Sequence, residues 1–221
     1  MQPGDSLRLS LFADDPLVSR PGEAVHYSSF GYNLLGVAIE RIEGTSYGEA
    51  LRRLVTAPLG LDSVGLDDAH AKVPCRTAFY SNTFGWLQTA TVKRDSSDYY
   101  PSGGLVATSE DLARFAAAVF GEDGSPAARA LMSQPPTLAD GKPGKHAFAW
   151  EVHRDEEGNV DWYGLGGAAN GAHASVRYYP RLRMAVAGAI NYNFFLTERR
   201  PAFFRVIREE IPAIYAKAAT R

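Results

Sequence analysis

The chain has 221 residues, enough to bury one sizeable core, and 45% of them are hydrophobic against 22% charged, an ordinary globular balance. Its 23 basic and 25 acidic residues leave a net charge of -2, which removes the electrostatic case for nucleic acid or an anionic membrane as partner. Cys75 is the single cysteine, which excludes an intrachain disulfide, and no apolar run is long enough to span a bilayer.

In chain order, the first strong pattern is Tyr27-Ser28-Ser29 followed by FGYNLLGVAIERIEG. Leu34, Leu35, Ala38, Ile39 and Ile42 recur at helical spacing, with Ser28 or Ser29 as the cap and Gly44 as the stop. Tyr27 therefore stands just ahead of a helix's first turn, with hydroxyls beside it. The positive end of the helix dipole favours a phenolate there, which outlines an acid/base device. A second helix is expected from Tyr47 to Thr56, ending before Pro58.

Between these helices, Gly44-Thr45-Ser46-Tyr47-Gly48 matches G-x-S-x-G. That motif works only on a strained strand-to-helix turn that exposes the Ser. Here a helix lies on each side, so Gly44 reads as a stop and Thr45 or Ser46 as the next cap. Cys75, between Pro74 and Arg76, reads as a structural or incidental thiol with no partner base.

Thr108 is an N-cap with Asp111 at the capping-box position, opening a helix that turns Leu112, Phe115, Ala116 and Val119 inward. From Ala147 the pattern changes to strands. Phe148 to His153 alternates and leads to a turn at Asp155 to Asn159. Val160 to Gly164, Ala174 to Tyr179 and Met184 to Asn191 follow as strands, separated by loops containing Gly171 and Pro180. Glu198 to Ala219 reads as a closing helix that Pro212 kinks or interrupts. Helices, then antiparallel strands, then a helix, give an α+β class. The chain reads as one domain over 1–221, with 1–145 mainly helical and 146–221 carrying the strands and terminal helix. The five His residues show no metal-ligand spacing, so no metal or other cofactor is expected. His26 adjoins Tyr27, and His173 follows a Gly-rich run.

Several of these segments together resemble the β-lactamase-related serine hydrolases: class C β-lactamases, penicillin-binding-protein-like D-Ala-D-Ala peptidases, and esterases, with the mitochondrial β-lactamase-like proteins nearest in flavour. The segments are Asp14 to Leu17, Pro21 to Glu23, the YSS stretch, Ala57 to Leu61, Ser102 to Phe115 (SGGLVATSEDLARF), and Gly164 to Gly171 (GLGGAANG). The resemblance implies an antiparallel sheet flanked by helices, with a helical subdomain across a cleft. It implies acyl transfer on an ester, amide or lactam carbonyl, with Tyr27 as general acid/base and Ser29 in the place of a substrate-binding Asn. GLGGAANG takes the place of the third motif. Gly166 and Gly167 then let substrate approach the strand, Asn170 binds substrate, and the Ala168 N–H helps form an oxyanion hole. Leu165 stands where the family carries Lys or His, which points to neutral esters or amides over carboxylate-bearing lactams and peptides.

The family's nucleophile is the Ser of Ser-x-x-Lys, and no Ser in this sequence has Lys three residues later. The expectation is a C-terminal portion of such a hydrolase, inactive alone. The alternative is a non-catalytic binding or scaffold protein on a degenerate fold. An incomplete fold predicts uncovered apolar helix faces and a need for an N-terminal segment or a second copy as partner. Family members are often exported, but no leader pattern opens this chain, so its compartment stays unassigned.

Overall fold

The computed structural model describes residues 9–10, 12–68, 70–83, 87–90, 95–144, 146–169, 171–193 and 204–219. The chain forms two compact units. One comprises Met1–Arg76, Lys93–Ala107 and Thr137–Gly144; the other comprises Thr77–Val92, Thr108–Pro136 and Lys145–Arg221.

The first unit is built on helix α1, Ser29–Glu43. Ser28 is the cap: its backbone is extended and its Oγ accepts the Gly31 N–H at 3.1 Å. Gly44 ends the helix with φ 65°, a left-handed geometry that suits glycine. The buried face of α1 is not its apolar stripe. Asn33, Gly36 and Val37 are buried, whereas Leu34, Leu35 and Ile39 are exposed and Ile42 is 80% exposed. The cause is close approach to helix α4, Tyr100–Gly103: a Cβ on Gly36 would lie 2.1 Å from Pro101 Cγ. Asn33 Nδ2 fastens the same contact by donating to the Asp98 carbonyl at 3.0 Å.

Helix α2, Tyr47–Leu51, is capped by Ser46, whose Oγ accepts the Glu49 N–H. It does not stop before Pro58. A π-turn over Arg52–Thr56 carries it into α3, Ala57–Leu59, with the Ala57 N–H bonded to the Arg52 carbonyl. The wider turn accommodates the missing proline N–H and its ring. Strands β1, Gly65–Leu66, and β4, Leu105–Val106, pair antiparallel in this unit. A two-point bridge from Arg76 to Asp67, at 2.6 and 2.9 Å, pins the chain near Cys75, which has φ 56° and is exposed.

The second unit holds a four-stranded antiparallel sheet in the order β5-β6-β7-β8: Glu151–Arg154, Val160–Ala169, Ala172–Tyr179 and Met184–Ile190. Helix α5, Ser109–Phe120, covers one face, capped by Thr108 Oγ1 accepting the Asp111 N–H at 3.2 Å. Its Ala116, Val119 and Phe120 join Trp150, Tyr163, Val176 and Tyr178 in the core. Phe120 stacks on Tyr163 at 4.1 Å and meets Trp150 edge-on at 4.7 Å. A second sheet, β3-β2-β9, pairs Tyr80–Thr83 with Leu87–Ala90 and, in parallel, with Tyr192–Asn193. Another π-turn, Val206–Glu210, precedes helix α6, Ile211–Ala219, and Pro212 follows it as Pro58 follows the first. The expected segment 198–203 of the closing helix lies outside the described residues.

The alternation from Phe148 to His153 predicts a strand beginning at Phe148, and the structure corrects it. The strand begins at Glu151. Ala147 and Trp150 exchange both backbone hydrogen bonds at 3.0 Å across a two-residue turn. Its tip residues have φ 46° at Phe148 and 73° at Ala149, the mirror-image geometry that matches strand twist. Each costs about 1–2 kcal/mol for an L side chain. Burial of Ala147 and Trp150 on either side holds the strain in place.

Candidate active site

Strand β6 carries the Gly-rich run of the second unit. β5 pairs with it only as far as Glu151 opposite Gly164, while β7 pairs with it through Ala169. From Leu165 onward one edge of β6 has no partner among the described residues, and Leu165 to Ala169 are exposed. Such an edge presents alternate N–H and C=O groups to an extended ligand or to a developing oxyanion.

Side chains along β6 alternate between the sheet's faces. The register Leu165↔Val176 and Tyr163↔Tyr178 places Leu165, 39% exposed, on the α5 face. Gly166↔Ser175 and Ala168↔His173 occupy the opposite face. There Arg208 lies against the strand: its Nε donates to Ser175 Oγ at 2.9 Å, its Cζ sits 4.7 Å over the Phe204 ring, and its carbonyl accepts from Tyr179 and Arg177. A Cβ on Gly166 would be 2.9 Å from the Arg208 guanidinium, whereas one on Gly167 would meet nothing within 4 Å. Gly166 thus admits a protein side chain, and Gly167 is the glycine with open space beside it. His173, buried, stands directly across from Ala168 and presents its ring to Phe204 at 6.3 Å. Asn170 lies outside the described residues.

The first unit carries the Tyr motif. Tyr27 precedes the cap of α1 and is 94% exposed, and Ser29, the helix's first residue, is exposed as well. Tyr32, one turn on, has its phenol pushed above the usual range by burial and by the neighbouring Tyr27. No local motif marks Tyr32, five residues after Tyr27; partial burial sets it apart. His26 is exposed. Ser46 is occupied as a cap between two helices, the wrong geometry for a nucleophile elbow.

A helix-covered antiparallel sheet, with a glycine strand open along one edge, defines the β-lactamase/transpeptidase-like fold. The penicillin-binding protein from Bacillus halodurans superposes with a TM-score of 0.74 at 17% identity, over 91% of this chain and 62% of that one. A β-lactamase family profile matches residues 5–208. The chain belongs to the β-lactamase-related serine hydrolase family.

Among curated relatives, the human mitochondrial serine β-lactamase-like protein LACTB is 30% identical over 107 residues, 48% of this chain and 19% of that protein. Human putative β-lactamase-like 1 is 30% identical over 187 residues, 70% of this chain and 33% of that protein. The chain thus spans about a fifth to a third of these relatives' lengths.

Proposed function

We propose that this chain supplies the proton-handling and carbonyl-binding parts of a serine hydrolase that transfers acyl groups from neutral esters or amides. The observation that supports the reading is that one edge of β6 from Leu165 to Ala169 has no partner among the described residues, within the Gly-rich run that resembles the family's third motif. Tyr27 serves as general acid/base, Ser29 and Asn170 bind the substrate, and the Ala168 N–H holds the oxyanion. The attacking hydroxyl belongs to a Ser-x-x-Lys segment that these 221 residues do not contain, and the chain alone does not turn over. The exposed apolar side chains of α1 support a covering segment or second copy as partner.

Leu165 supports the neutral-substrate assignment, since an apolar side chain cannot attract a carboxylate. The same residue favours the rival reading of a non-catalytic binding protein. A serine-directed fluorophosphonate probe separates the two. The 221-residue chain stays unlabelled, and extension by adjoining coding sequence that carries Ser-x-x-Lys restores labelling. A folded, extended protein that remains unlabelled selects the binding protein.

A further inference from the structure

The tight turn at Phe148–Ala149 has a place and a composition that the core does not explain. The register Glu151↔Gly164 puts it where β6 loses its partner: the next residue back on one strand is Trp150, and the next one on along the other is Leu165. Both ends of the turn are anchored. Ala147 is fully buried, and Trp150 packs between Phe115 at 6.4 Å and Phe120 at 4.7 Å. Between these anchors Phe148 is 57% exposed, on a backbone of φ 46° that glycine would adopt without strain. A large aromatic side chain at a strained, solvent-facing tip beside an open strand edge is the kind of outlier that points to a functional constraint.

We propose that Phe148 is a specificity-determining residue of the site. Resting on the hydrolase reading above, Phe148 and Leu165 form an apolar wall where the open edge of β6 begins. This wall receives the hydrocarbon part of the acyl group of a neutral ester or amide. The backbone edge recognises the carbonyl, the wall selects for acyl length, and neither residue offers a charge to a polar acyl chain.

Two neutral anilides test this on the 221-residue chain without any nucleophile: acetanilide and butyranilide, which differ by two methylenes. Binding is followed through the amide NMR shifts of Leu165 to Ala169. A buried methylene is worth about fourfold in affinity, so butyranilide binds about fivefold to fifteenfold tighter than acetanilide to the unmodified chain. In Phe148→Ala and Phe148→Gly the ratio falls to about 1–2, while Phe148→Leu keeps most of it. Phe148→Gly also raises Tm as the strain is relieved, so stability and selectivity move in opposite directions; a purely structural residue would move Tm alone. The proposal is overturned if the unmodified chain shows no preference or binds neither anilide, or if Phe148→Ala leaves the ratio intact. Labelling by the serine probe is independent of this ratio, so failure of the hydrolase reading shows up separately.

Discussion

The guanidinium of Arg208 fills the space that a side chain on Gly166 would need, held there by Ser175 Oγ and the ring of Phe204. Gly166 is therefore matched to a residue of the distant Val206–Glu210 turn. Gly166→Val forces Arg208 off Ser175 and costs about 1–3 kcal/mol, the usual range for overpacking. Gly167→Ala, with nothing within 4 Å, stays within about 0.5 kcal/mol of the parent. Urea unfolding of the two variants checks the contrast.

Gly36→Ala is the more damaging glycine change. Its Cβ would lie 2.1 and 2.7 Å from two carbons of the Pro101 ring, which cannot swing aside as an arginine can. A loss of about 2–3 kcal/mol is expected, read as a lower urea midpoint with unchanged m-value.

Tyr27→Phe separates chemistry from folding. The side chain is 94% exposed, so Tm shifts little. In the extended, labelling-competent protein, losing the proposed acid/base hydroxyl lowers kcat/KM about 10²- to 10⁴-fold. Steady-state hydrolysis of a neutral aryl ester, beside a thermal melt, reads both.

Leu165→Lys places a cation at the position that, on the proposed motif match, the family fills with Lys or His. A charge-assisted hydrogen bond of about 1.5–3 kcal/mol raises affinity for a carboxylate-bearing ligand such as benzylpenicillin roughly tenfold to a hundredfold. Calorimetric titration of parent and variant measures the difference, and an unchanged affinity shows that position 165 does not face the ligand.

Alkaline stability follows from the tyrosines. Burial raises the phenols of Tyr47, Tyr32 and Tyr178, the last with Glu122 adding to the effect. A raised folded-state pKa means the folded protein keeps the proton that the unfolded chain releases from about pH 10. Stability is therefore fully present below pH 10 and declines as pH rises through the folded-state values. Tyr178→Phe removes one titrating group and flattens that decline in denaturant midpoints measured between pH 9 and 11.

Local signals carried the legible part of the fold. The caps at Ser28 and Thr108, the Asp155–Asn159 turn and three strands of the main sheet rest on residues a few positions apart, where the chemistry is self-contained. What escaped depends on distant partners. Tyr80 pairs with Tyr192, and the sequence between them holds no sign of it. Which face of α1 packs closely is set by Pro101 against Gly36, a contact that no local pattern announces. Of the proposed site residues, Tyr27 and the Gly-rich run stand out in the sequence through their resemblance to family motifs. The seat of Arg208 and the turn at Phe148 do not: the first is a tertiary contact, and the second has the alternation of a strand with the backbone of a hairpin.

The edge of β6 that has no partner among the described residues has a second consequence. Backbone that can receive a substrate can equally receive the same strand of a neighbouring molecule, the first step towards fibrils. Two consecutive glycines in that stretch are poor material for such stacking, because they offer no side chains to interlock with a copy of themselves. Replacing Gly166 and Gly167 together by valine would turn a docking edge into a template for self-assembly.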